Sequence, residues 1–387
     1  MKGGKLQTVA VFVLVIAFIT GGSFISSMMW GGKSEKIEIP ASLVMNNEMT
    51  LEEFAFVNSI PDNALKQIFE LRSRDDLAKK VSAFGSPEEI SAMVKKGMAL
   101  IAEEGSKNWI KIPVKFASWF VFLLFVFIFL KKRKATTPVR NILHLGAIII
   151  FGVVLGSDPG PMGTVKDAIV LYGKAKTVFP PRMIALAVFI ILVILANKYI
   201  CAWGCQAGVL QDFIFRLNRS DRQKPVIWKQ FKLPFVFTNS VRVVFFLMML
   251  AFALAWGYDL VEPIDFFKVY NPVHLGVAGI ASAAVILFAS LFVYRPWCHL
   301  LCPFGLVGWI AEKFSIVKIN VDYNTCIACK KCAMACPSTV MSAILLRDKK
   351  VIPDCFSCYT CRDVCPTGSI RFSADKRTMP PDGHFKK

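Results

Sequence analysis

The chain has 387 residues, 55% of them hydrophobic and only 19% charged, with a mean hydropathy of +0.52; this excludes an ordinary soluble domain and makes a bilayer the expected solvent. Its 46 Lys and Arg against 27 Asp and Glu give a formal charge of +19. The basic residues cluster at the ends of apolar runs, as in Lys131, Lys132, Arg133 and Lys134, and not in a patch interleaved with aromatics, so nucleic acid is excluded as a partner.

An uncharged run over 6–32 is long enough to cross a hydrocarbon core of about 30 Å. It follows Lys2 and Lys5 and closes on Met28-Met29-Trp30, which suits an uncleaved transmembrane anchor (1–32) better than a signal peptide. Residues 33–111 turn polar and read as a small extracytoplasmic helical domain. There Thr50-Leu51-Glu52-Glu53 resembles an N-cap with first-turn acids, and Leu51, Phe54, Ala55 and Val57 keep helical spacing. Ile60-Pro61-Asp62-Asn63 breaks the pattern before 64–71 resumes it.

Five more apolar runs follow, at 116–130, 141–157, 183–199, 233–258 and 269–294. The fold class is therefore mainly α: six spans, five of them forming a bundle over 112–310. Segments 131–140 and 216–232 carry 5 and 6 basic residues. By the positive-inside bias they face the cytoplasm of a bacterial inner membrane, with both termini and everything after Tyr294. Arg242, near the start of the fifth span, is expected to snorkel or pair.

Cys201 and Cys205 recur at Cys298 and Cys302, and Gly208 recurs at Gly305, each 97 residues on. Spans also leave the bilayer through Gly156-Ser157-Asp158 and again through Gly257-Tyr258-Asp259. A duplicated two-helix unit is expected, its parallel copies bringing both cysteine pairs to the cytoplasmic face. The i, i+4 spacing would place each pair on one helix face. A further metal or cluster, redox-active thiols and apolar packing cysteines are all compatible with it. His299 is expected to orient at the interface more than to ligate. His144 and His274 lie towards opposite faces, which disfavours a haem held between them.

All 12 cysteines fall into four tight groups, a pattern of metal ligation and not of scattered disulfides. The most specific signal is Cys326-x-x-Cys329-x-x-Cys332-x-x-x-Cys336-Pro337, repeated as Cys355-x-x-Cys358-x-x-Cys361-x-x-x-Cys365-Pro366. Three thiolates of a tight loop reach three irons of one cubane, and the fourth, beyond the turn, points at the neighbouring cluster. Two 4Fe-4S clusters are expected: one on Cys326, Cys329, Cys332 and Cys365, the other on Cys355, Cys358, Cys361 and Cys336. Zinc needs only four ligands in two pairs. The domain over 311–374 is thus a small α+β bacterial-type double-cluster ferredoxin, followed by a basic tail (375–387). Lys330 and Lys331 sit in its first loop, as ordinary surface lysines or as charges that raise the cluster potential.

Asp158, Asp259, Glu262 and Asp265 stand where spans leave the bilayer on the outer side. A carboxylate there could take protons from a bound quinol, although solvated loop charge is the plainer reading. The 33 phenylalanines suit an apolar quinone pocket as well as bulk membrane packing.

With short cysteine pairs ending two spans and a double CxxCxxCxxxCP domain directly after them, the chain resembles the NapH, MauN and NosR type of membrane ferredoxin over about 136–370. The first pair departs from CxxxCP, since Gln206 stands where Pro303 follows Cys302; the 33–111 segment is extra, and the flavin-binding domain of NosR is missing. The resemblance implies a quinol dehydrogenase or electron-supply subunit of an anaerobic respiratory chain, hence an oxidoreductase in a multi-subunit complex. It would pass electrons between the quinol pool and an extracytoplasmic redox protein, such as a cytochrome c, a reductase or a ferredoxin subunit. The alternative is a metal-reducing or cofactor-maturation protein similar to the cytochrome oxidase accessory ferredoxins, with copper on the four membrane cysteines.

Overall fold

The computed structural model describes residues 2–30, 43–46, 48–71, 73, 75–132, 136–219, 226–346 and 354–385. Arg133, Lys134, Arg222 and Lys224 of the basic segments, and the start of the polar segment at 33–42, lie outside the described residues.

The first apolar run forms α1 (Lys2–Met29). The polar segment builds α2 (Leu51–Val57), α3 (Asp62–Ile68) and α4 (Pro87–Gly105). Thr50 with Glu53, and Ser86 with Glu89, close capping boxes, which satisfy N–H groups that a helix start leaves open. Leu51, Phe54, Leu65, Val94 and Met98 meet in a small core. Val57 was expected on that face but is exposed, because α2 ends on it and the chain turns at Ser59 with φ 53°.

Four described helices are long and apolar enough to cross a membrane: α1, α5 (Lys111–Lys131), α6 (Thr137–Ala147, continued by a π turn to Val154) and α11 (Phe235–Trp256). Two more, α8 (Pro180–Ala196) and α12 (Val277–Ala289), are apolar but shorter. The last run was expected to be helical from Val269. Instead Phe266–Tyr270 and Pro272–His274 form 3-10 turns, since proline supplies no N–H to a helical ladder. A helix missing from the expectations, α7 (Pro161–Ala175), buries Met162, Val165 and Val170. It packs so closely on α11 that a Cβ on Gly173 would lie 1.9 Å from the Ala253 carbonyl oxygen.

After α8 and after α12 the chain reverses, at Asn197 (φ 60°) and Arg295 (φ 49°). Each time a short helix, a break and a longer helix follow: α9 (Tyr199–Trp203) with α10 (Gln206–Leu217), then α13 (Pro296–Leu300) with α14 (Pro303–Glu312). The two joints match in detail. Cys205 N–H donates to the Ile200 carbonyl at 2.7 Å and Cys302 N–H to that of Trp297 at 3.0 Å. A Cβ on Gly208 would lie 2.6 Å from the Cys201 oxygen, and one on Gly305 2.6 Å from the Cys298 oxygen, so only glycine lets the longer helix fold back on the shorter.

In the cysteine-rich unit, β1 (Lys318–Val321) pairs antiparallel with β2 (Ile370–Ser373), Lys318 opposite Ser373. Short helices α15 (Lys331–Ala335), α16 (Val340–Leu346) and α17 (Thr360–Asp363) lie between them. Its core holds Ile319, Val321, Val340, Met341 and Ile344. Helix α5 serves as a ruler of about 30 Å, at about 1.5 Å per residue. Its first residues line a large cavity, and the Leu130 and Lys131 carbonyls at its far end accept from Arg362 of the cysteine-rich unit, both at 3.4 Å. Cavity and cysteine-rich unit therefore occupy opposite ends of the bundle.

Candidate functional site

The cysteine-rich loops wrap two hollows. One is lined by Cys326, Cys329, Cys332 and Cys365, the other by Cys336, Cys355, Cys358 and Cys361. Left-handed residues fall at the same two places in each loop: Ala328 and Lys330 (φ 54° and 56°), Ser357 and Tyr359 (φ 52° and 62°). These turns curl the backbone outside its own thiols. All 12 cysteines are free. Among the described residues no three His, Cys, Asp or Glu side chains converge as one metal ion would require. Four soft thiolates spread around a hollow do fit a cubane, in which each binds a different iron. Lys330 and Lys331 are exposed.

The second hollow abuts the membrane part, since Tyr294 also lines it. Buried charges fasten the two. Asp354, adjacent to Cys355, pairs with Lys198 and, at 2.9 Å, with Arg242. Arg242 is thus paired; it also donates to the carbonyls of His299 and Gly305, both at 3.0 Å. Arg140 holds the Cys358 carbonyl and the Asp363 carboxylate. The Trp203 indole donates to the Ser357 carbonyl at 3.2 Å, and Cys355 N–H to Glu312 at 2.9 Å. Burial pushes Glu312 up to about 7.

The four remaining cysteines depart from the one-face expectation. The helix breaks at Gly204 and at Leu301, so Cys205 and Cys302 become the N-cap residues of α10 and α14. Nor do they stand at the basic end: the Trp119 indole donates to the Gly204 carbonyl at 3.0 Å and the Tyr199 hydroxyl to that of Leu123 at 3.3 Å, level with the middle of α5. All four are buried. The Gln211 amide lies 3.7 Å from the Cys298 sulfur. His299 Nδ1 sits 3.1 Å from the Arg295 carbonyl oxygen, an orienting contact.

At the other end, a cavity of about 950 Å³ is lined by Phe116, Phe179 and Tyr270 together with Asp158, Asp167, Arg182 and His274. Of the four expected carboxylates only Asp158 lines it. Asp259, Glu262 and Asp265 gather instead on the Lys166 ammonium at 3.0, 3.5 and 3.6 Å, with Asp167 at 3.1 Å. Burial opposes that charge, yet the carboxylates together raise Lys166; burial pushes Asp265 up to about 6 against the pull of Lys166. His144 packs on Trp203, ring centroids 5.2 Å apart, while His274 lines the cavity; they form no axial pair. Gln206 was noted only as a departure from CxxxCP. It donates to the Ser157 carbonyl at 2.9 Å and accepts from the Tyr270 hydroxyl at 3.0 Å, so the cavity wall is one residue from Cys205. Asp167 and Arg182 went unnoticed; the helical spacing of Met162, Val165 and Ile169 was the signal for the helix that carries Asp167.

Two four-cysteine hollows fastened to a bundle with membrane-length apolar helices form an arrangement suited to 4Fe-4S clusters held beside a membrane part. Residues 319–372 match a 4Fe-4S dicluster domain family, and residues 178–225 and 275–321 each match a 4Fe-4S binding domain family. The chain is 31% identical over 217 residues to the electron transport protein YccM of Escherichia coli, covering 53% of this chain and 59% of that protein. It is 28% identical over 248 residues to the methylamine utilization ferredoxin-type protein MauN of Methylorubrum extorquens, covering 60% of this chain and 79% of that one. The chain thus spans somewhat over half the length of the first of these relatives. No solved structure matches it. By these matches the chain is similar to membrane-type 4Fe-4S ferredoxins such as MauN.

Proposed function

We propose that the protein oxidises or reduces membrane quinol in the cavity at the start of α5 and exchanges the electrons with a redox partner, using two 4Fe-4S clusters as relay centres. The observation that carries this reading is the cavity itself: aromatic walls with a few convergent polar groups, at the far end of the bundle from the clusters, are what a ring with polar ends and an apolar tail requires. Oxidation of a quinol releases two protons with two electrons. Asp158, Asp167 and His274 border the cavity as acceptors for the protons. Cys326, Cys329, Cys332 and Cys365 would hold one cluster and Cys336, Cys355, Cys358 and Cys361 the other, supplying one-electron steps.

The second hollow is the inner port, and the first, with exposed Cys329, the outer one. The six apolar helices are read as six spans of a duplicated bundle, the basic ends and the cysteine-rich unit cytoplasmic. Helix α4 leans on α7 through Ala99, Leu171 and Phe179, beside the cavity, where an extracytoplasmic partner would dock. Anaerobic protein with intact clusters, mixed with menaquinol or ubiquinol, should show cluster reduction by absorbance and EPR. Clusters that stay oxidised with both quinols overturn the reading.

A further inference from the structure

The polar groups that line the cavity are mostly engaged. Asp158 and His274 have partners, and Asp167 lies 3.1 Å from Lys166 and 3.2 Å from Arg182. Arg182 differs: it lines the cavity with its side chain only 8% exposed, and its Nη1 is buried with no hydrogen-bond partner among the described residues. A buried donor left unpaired is costly, and an acceptor oxygen on a ligand removes that cost.

The placement of this guanidinium points the same way. Arg182 sits in the first turn of α8, directly after Pro180 and Pro181, at the positive end of the helix dipole, where a cation is disfavoured. Two other helices hold it there: its Nη2 pairs with Glu103 of α4 and with Asp167 of α7. Glu103 is itself anchored by Lys107 at 2.8 Å. One edge of the planar fork is thus fixed by carboxylates, and the other is left over. Guanidinium has donors only, so the atom it takes must be an acceptor. Phe116 and Phe179 line the same cavity, which suits an acceptor oxygen carried on an apolar ring.

We infer that Arg182 holds one ring oxygen of the quinone, Nη1 donating to it while Glu103 and Asp167 fix the opposite edge. The inference rests on the reading of the cavity as a quinol site, and it names what orients the ring there. Arg182 stays protonated throughout, so it takes neither of the protons that quinol releases. As a pure donor it favours the carbonyl of the quinone over the hydroxyl of the quinol, a poorer acceptor.

Binding is measured by calorimetry on oxidised full-length protein in nanodiscs, with empty nanodiscs as the lipid blank. The probes are 2,3-dimethyl-1,4-naphthoquinone and 2,3-dimethylnaphthalene, the same skeleton without the oxygens. Wild-type protein should bind the quinone about tenfold or more tighter than the hydrocarbon, as one hydrogen bond from a charged donor provides. Arg182→Gln should erase that preference and leave hydrocarbon binding unchanged. Glu103→Gln, which removes a carboxylate but keeps the guanidinium, should retain it. Equal binding of both probes by wild-type protein overturns the inference, even where Arg182→Gln fails to fold. A preference that survives in Arg182→Gln, or that Glu103→Gln abolishes as fully, overturns it too. Failure of the quinol reading looks different: wild-type protein then binds neither probe, and this inference falls with it.

Discussion

Cys365 lies in the second motif by sequence and in the first hollow by structure. Cys365→Ser should therefore disturb the cluster of the Cys326 loop and spare that of the Cys355 loop, which EPR of the reduced variant separates. Loss of the other cluster would mean that ligands do not cross between motifs. Asp354 carries a different load. Buried against Lys198 and Arg242, it leaves Arg242 without its carboxylate partner and Lys198 with Glu312 alone, at 3.8 Å, in Asp354→Asn, and removing one partner of a buried pair costs about 3–5 kcal/mol. Lower thermal stability and faster proteolysis between the membrane part and the cysteine-rich unit are expected; an unchanged melting profile would contradict the fastening role. Residue-level chemistry was legible where it is local. The double CxxCxxCxxxCP spacing marks both hollows, because three ligands of each come from one loop. The clustering of Asp259, Glu262 and Asp265 was not legible because their partner, Lys166, sits 93 residues before the first of them, a separation that no spacing rule spans.

Helices α10 and α14 begin at equivalent breaks, and their glycines touch equivalent carbonyls. Gly208→Ala and Gly305→Ala should accordingly behave as a pair, each overpacking its joint by about 1–3 kcal/mol, read as a fall in denaturation midpoint. A large effect at one and none at the other would argue against equivalent joints. Helix α7 is held by a different device: Lys166→Met strips four carboxylates of their shared cation and should destabilise the α7 end by about 3–5 kcal/mol, seen as faster amide exchange in 161–175. The apolar runs announced the four helices of membrane-crossing length, since hydropathy is summed over many residues. Chain reversal at Asn197 and Arg295 was hidden, because an apolar helix and an apolar re-entrant turn share a composition, and the i, i+4 cysteines read as one helix until Gly204 broke it.

At the scale of the molecule, the order of parts was written in the sequence, while their relative depth was not. The 97-residue repeat and the cysteine-rich end were visible, but the position of Cys205 opposite Trp119 depends on how helices meet. The fastening between bundle and cysteine-rich unit has a kinetic corollary. Its charges are interior, with Asp354 3% and Arg242 1% exposed at the side chain, and mobile ions screen interior pairs far less than solvated ones. A ferredoxin that must diffuse to its reductase slows as potassium chloride is added; on the proposed function the handoff stays within one chain, so its rate should be flat across an ionic-strength series while any exchange with an outside carrier still bends.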